Sequence, residues 1–126
     1  MSKTTRTEKD SLGTFEVPRD AWYGIQTARA AENFNASGRR ADTDFIVAHV
    51  RIKRAAAVAN RDAGWLDAKL AQAIVDACDK VLAGQHLDQF VVDRFQAGAG
   101  TSHNMNTNEV IANLANVALG GERGDY

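Results

Sequence analysis

A mainly α-helical domain with one or two very short strands is the fold class this sequence predicts, on three observations. Apolar residues recur at three-and-four spacing through several long stretches. Alanine supplies 22 of the 126 residues, which implies a thin core and closely packed helices. Strand-like alternation occurs over one brief run only, Phe15-Glu16-Val17.

Residues 1–10 are polar, mixed in charge and without periodicity, which predicts a mobile arm and leaves 11–126 as the domain. The alternation at Phe15 to Val17 predicts a short extended segment that Pro18, the single proline, ends. From Asp20 to Phe34 the pattern is helical but interrupted by Gly24, with Tyr23, Thr27, Ala30 and Phe34 on one face. Ser37-Gly38 and the neighbouring arginines mark a loop. The stretch 43–60 predicts a helix whose stripe is Phe45, Ala48, Ile52, Ala55, Ala56 and Ala59, flanked by Ile46, Val50 and Ala57. Over 67–83 a second helix is predicted, with Asp67 as N-cap, a buried line of Leu70, Ile74, Ala77 and Val81, and Gly84 after its end. Phe90 to Phe95 reads as a short strand or an extended connector. A last helix runs from about Ser102 to Leu119 and stops at Gly120-Gly121. Such wide apolar helix faces call for more surface than 126 residues offer.

Composition narrows the function classes. Fifteen Lys and Arg against 16 Asp and Glu, net charge -1, argue against nucleic-acid or membrane-surface binding. No apolar leader and no run of 18 apolar residues occur, so a cytoplasmic protein is expected. One cysteine, Cys78, excludes a disulfide framework, and its helical neighbours Ile74 and Leu82 predict an inert core thiol. His49, His86 and His103 lack metal-ligand spacing, so neither metal nor cofactor is expected. Asp76 and Asp79, and Arg51, Lys53 and Arg54, read as solvated helix faces.

One segment stands apart, Gln96-Ala97-Gly98-Ala99-Gly100-Thr101-Ser102-His103-Asn104-Met105-Asn106-Thr107-Asn108-Glu109. It is a loop of small residues feeding a helix start. Gly98 and Gly100 permit positive φ and close approach of a ligand. Thr101 and Ser102 offer hydroxyls where backbone N–H groups lack helical partners, and the helix dipole favours an anion there. Asn104, Asn106 and Asn108 disfavour the helix intrinsically, so something other than propensity placed them. Two readings stand at this point: a carboxylate or phosphate site, or a turn with Thr101 or Ser102 as a plain cap. A P-loop ending and Rossmann glycine spacing are both absent.

The run QAGAGTSHNMNTNEVIAN resembles the first signature region of the fumarase/aspartase superfamily of lyases. LGTFEVPRDAWYGIQTARAAENF is similar to the opening segment of that family, IKRAAAVAN to its next helix, and GDY to the approach to its second signature. The resemblance covers roughly residues 6–126. It implies the N-terminal helical domain of the fumarase/aspartase-type lyase fold. Gly98 to Ser102, reading GAGTS, resembles the aspartate ammonia-lyase branch more than the class II fumarases. The implied activity is reversible anti-elimination of ammonia from L-aspartate to give fumarate. Thr101 matches the threonine that binds the carboxylate converted to the aci-form; Ser102, Gly100 and Ala99 match the rest of that wall, with Asn104 and Arg29 as supporting candidates. The implied partners are a small dicarboxylate substrate and, for the full-length protein, three further copies in a homotetramer. Family members are several times longer. Their TH pair and the GSSxMPxKxNP loop carrying the serine base do not occur here, so this stretch alone is expected to be inactive. A class II fumarate hydratase-like lyase and a non-catalytic assembly domain are the alternatives.

Overall fold

The computed structural model describes residues 4–125. Its elements run β1 (Thr5–Asp10), β2 (Gly13–Pro18), α1 (Ile25–Asn33), α2 (Thr43–Asp62), α3 (Ala68–Leu82), a 3₁₀ turn at Leu87–Gln89, and α4 (Thr101–Ala118). The mainly helical class with short strands is what the structure has.

The mobile arm expected at 1–10 is not what forms over its described part. Thr5–Asp10 pairs antiparallel with β2, Thr5 opposite Pro18 and Asp10 opposite Gly13. Hydrophobic periodicity misses this strand because its anchors are polar. The Arg6 guanidinium donates to the carbonyls of Pro18, Ala21 and Tyr23 at 2.7–3.1 Å and to Glu8 at 2.7 Å. Glu8, 5% exposed, accepts from the Ile25 N–H at 2.8 Å. Thr5 and Thr7 both donate to Glu16 across the pair.

Gly24 ends the irregular stretch after β2 and is the N-cap of α1, so the helix starts later than Asp20. A Cβ on Gly24 would lie 2.9 Å from Glu109 Oε1, so a larger residue would push that carboxylate from its place. That carboxylate takes the place of a local cap. Glu109, from α4, accepts from the N–H groups of Gly24, Gln26 and Thr27 at 2.8–3.0 Å, where the dipole of α1 favours negative charge.

α2 and α3 form an antiparallel pair with α4 against both. Their core holds Ile46, Val50, Ala77, Cys78, Val81, Phe90, Val110, Ile111 and Leu114, and Cys78 is buried as expected. The stripe expected on α2 is its outer side: Phe45 is 49% and Ile52 62% exposed, while the flanking Ile46, Val50 and Ala57 are buried. An alanine-rich helix is apolar nearly all round, so its partner, not its pattern, selects the buried face. In α3, Asp67 caps as predicted, accepting from Lys69 and Leu70 N–H. Ala77 and Val81 are buried, Leu70 is half-exposed, and Ala71, Ala73 and Val75 widen the face. Gly84, at φ 92°, closes the helix, its N–H on Val81 O and that of Gln85 on Lys80 O. Phe90 to Phe95 is a connector; its one ladder contact is the Arg40–Asp93 bridge. No helix among the described residues is long and apolar enough to cross a membrane.

Candidate functional site

α4 positions the small-residue loop through the polar side chains of its inner face. Asn106, fully buried, accepts from Val91 N–H at 3.0 Å and donates to Gln89 O at 3.0 Å. Asn113 donates to Trp22 O at 2.8 Å and accepts from Gly124 N–H at 2.7 Å. With Glu109, these residues recur at helical spacing and bind the backbones of separate segments. That is why a helix opening so rich in asparagine is retained: its amides replace lost propensity with tertiary hydrogen bonds. The asparagine series divides, since Asn106 serves the connector, Asn108 donates to Met105 Sδ, and Asn104 meets Lys53.

Asp93 fixes the connector from the other end. Its carboxylate accepts from the N–H groups of Phe95, Ser37 and Gly38 and from the Ser37 hydroxyl, each at 2.8 Å. The Phe95 N–H, with Ser37 and Gly38 adding to it against the effect of burial, lowers the Asp93 pKa to about 2.

Between these anchors the chain turns through 97–100, where Gly100 N–H donates to Ala97 O at 2.8 Å. Gly100, at φ 77°, ψ 12°, is the N-cap of α4, a left-handed position suited to glycine. Gly98 needs no positive φ, contrary to expectation. Neither Thr101 nor Ser102 caps the helix: no side chain makes a cap hydrogen bond at this end. The plain-cap reading is thereby corrected. Thr101 is exposed and Ser102 is 8% exposed. No side chain therefore serves the first N–H groups of α4, an arrangement that can receive an anion.

Asn104 Oδ1 accepts from Lys53 Nζ at 2.6 Å, one turn into α4. Lys53 is therefore not simply a solvated charge. Arg29 is held elsewhere: it donates to both Asp10 oxygens and to Gly13 O, over the Phe15 ring, so its contacts belong to the hairpin rather than to the loop.

Sequence reasoning passed over the aromatic group behind the loop. The His103 ring lies 4.6 Å from that of His49 and 4.7 Å from that of Phe45, centroid to centroid. Burial, then the His49 charge, lowers the His103 pKa to about 4; burial, then Lys53, lowers that of His49. The spacing of Phe45, His49 and Lys53, each four apart on α2, was the available signal. Among the described residues no group of three His, Cys, Asp or Glu is placed to hold a metal ion.

Comparison with known proteins places this architecture. A family model described as lyase matches residues 13–123. The chain is 57% identical to a class II fumarate hydratase of Halobacterium salinarum over 99% of its own length and 27% of the relative's. It is 50% identical to an aspartate ammonia-lyase of a Bacillus species, over 100% and 27% respectively. A crystal structure of a fumarate lyase:delta crystallin from Brucella melitensis superposes with a TM-score of 0.94 at 51% identity, covering 97% of this chain and 27% of that one. The chain thus spans about a quarter of the length of the relatives it matches.

Proposed function

We propose, from the premise that this chain belongs to the lyase family, that it is the N-terminal portion of an aspartate ammonia-lyase and supplies the loop that binds a substrate carboxylate. The observation that carries the reading is the start of α4, where Gly100 turns the chain, no side chain caps the helix, and Thr101 stands exposed at its first position. Removing the Cβ proton of aspartate places a second negative charge on the adjacent carboxylate. Hydrogen-bond donors aimed at that group lower the barrier more than any other single interaction a protein can offer there. In this reading Thr101, Ser102 and the Ala99–Gly100 backbone provide them, and Asn104, oriented by Lys53, supports them. The proton leaves to a base outside these 126 residues, and ammonia departs anti to it, giving fumarate. The chain alone is then inactive, and the full-length protein acts in the cytoplasm as a homotetramer.

A second reading, a fumarate hydratase acting on malate, is favoured by the 57% identity to a protein of that name. Absorbance of fumarate formed by the full-length protein, from L-aspartate and separately from L-malate, decides between them. Turnover of aspartate supports the ammonia-lyase; turnover of malate alone overturns it.

A further inference from the structure

A half-buried ammonium meets the first turn of α4. Lys53 has no carboxylate within ion-pair distance among the described residues, and its Nζ donates instead to Asn104 Oδ1 at 2.6 Å. A half-buried charge without a counter-charge is unfavourable, and an apolar pair would join the two helices as well. An ammonium has donors only, so the atom facing it must be the amide oxygen, and the orientation of the Asn104 amide is thereby fixed. Both N–H groups of its Nδ2 are left unused: that atom has no hydrogen-bond partner among the described residues, and it is not sealed from the exterior. Asn104 stands three residues beyond Thr101, on the same face of α4, and its backbone N–H donates to Gly100 O at 3.1 Å. Asn108, next along that face, gives its amide to Met105 Sδ at 3.6 Å, so the free donors are those of Asn104.

We infer that the Asn104 amide is itself a donor to the substrate carboxylate, and that Lys53 is the positioning residue that holds it in that role. The inference rests on the reading of the α4 start as a carboxylate site, and it holds for aspartate and malate alike. Asn104 gives an Nδ2 N–H to the carboxylate that Thr101 binds, the two side chains being neighbours on one helix face. The ammonium draws electron density toward Oδ1, which makes the N–H groups of the same amide stronger donors. Its charge also attracts the second negative charge that forms on the carboxylate as the Cβ proton leaves. Both effects grow with that charge, so they act on the transition state more than on bound substrate. Lys53 acts through Asn104 and is not a catalytic residue.

Asn104→Asp in the full-length protein is the test, because it keeps an oxygen for Lys53 and puts a second carboxylate oxygen where the N–H groups stood. The melting temperature is expected not to fall, since an ion pair replaces a charge–amide bond. Fumarate formation, from whichever of L-aspartate and L-malate is turned over, is expected to lose at least about 100-fold in kcat/KM, mainly in kcat. A purely structural Asn104 gives the opposite result, a stable variant of undiminished turnover. Lys53→Met is expected to lower kcat/KM about 10-fold, and to add no further loss in an Asn104→Ala background. In crystals of the full-length protein with succinate, Nδ2 is expected within about 3.2 Å of a carboxylate oxygen. Wild-type kcat/KM in Asn104→Asp, additive losses in the double variant, or a succinate out of reach of Nδ2 would each overturn the inference. Should Asn104→Asp fail to fold, the succinate complex decides it. Thr101→Val separates this inference from the reading beneath it: a loss there with none in Asn104→Asp overturns the role of Asn104 alone, and no loss in Thr101→Val overturns the carboxylate site itself.

Discussion

Thr101 and Glu109 sit on one helix and do unlike work. Thr101 is exposed and makes no cap, so replacing its hydroxyl should spare the fold. Thr101→Val in the full-length enzyme is expected to lower turnover about 100- to 1000-fold, the scale of losing one oxyanion donor, with the melting temperature unchanged. Steady-state kinetics beside a thermal melt checks this; unaltered turnover leaves the hydroxyl without a role. Glu109 is buried and serves three backbone donors of α1. Glu109→Gln removes the charge that complements those N–H groups and should cost about 2 kcal/mol, read as a lower urea midpoint at constant slope. The elements of the candidate site were visible in residue type alone, because glycines, hydroxyls and a helix start in succession carry their chemistry with them. Lys53 and His103 were not, because their meanings come from α2 and α4 lying side by side.

At the level of elements, legibility followed the strength of local signals. Asp67 and Gly84 bracket α3 as capping rules require, and α4 begins one residue before Ser102. β1 escaped notice because Arg6 and Glu8 hold it through polar contacts, which leave no apolar alternation to find. On α2 the period was right and the face wrong. Val50→Ala is accordingly expected to cost about 2 kcal/mol, and Ile52→Ala no more than about 0.5 kcal/mol, in chemical denaturation. Equal losses would restore the stripe read from periodicity. The contact between α2 and α4 also sets a dependence on pH. His103 titrates near 4 in the folded protein and near its ordinary 6.5 when unfolded. Its contribution is complete above pH 6.5 and is lost as pH falls toward 4, because the unfolded chain takes up the proton first. The expected slope for this residue approaches about 1.4 kcal/mol per pH unit across that window. Denaturation midpoints from pH 4 to 7 should flatten in His103→Phe; an identical slope in that variant would assign the dependence elsewhere.

For the whole molecule, the governing relation is between distant parts of the chain. Glu109 and Asn113 hold residues 22–27, and Arg123 lies over the Trp22 ring at 3.9 Å and donates to Arg19 O. The hairpin is tied to α1 by Glu8 and Arg29. Contacts so far apart in sequence have a temporal meaning during synthesis. The hairpin and residues 22–27 lack their docking partner until α4 has emerged from the ribosome, whereas α2 and α3 are neighbours in order of translation and can pair before it. The hairpin is thus made before α4 and seated only after it, and throughout that interval it depends on the nascent chain staying soluble.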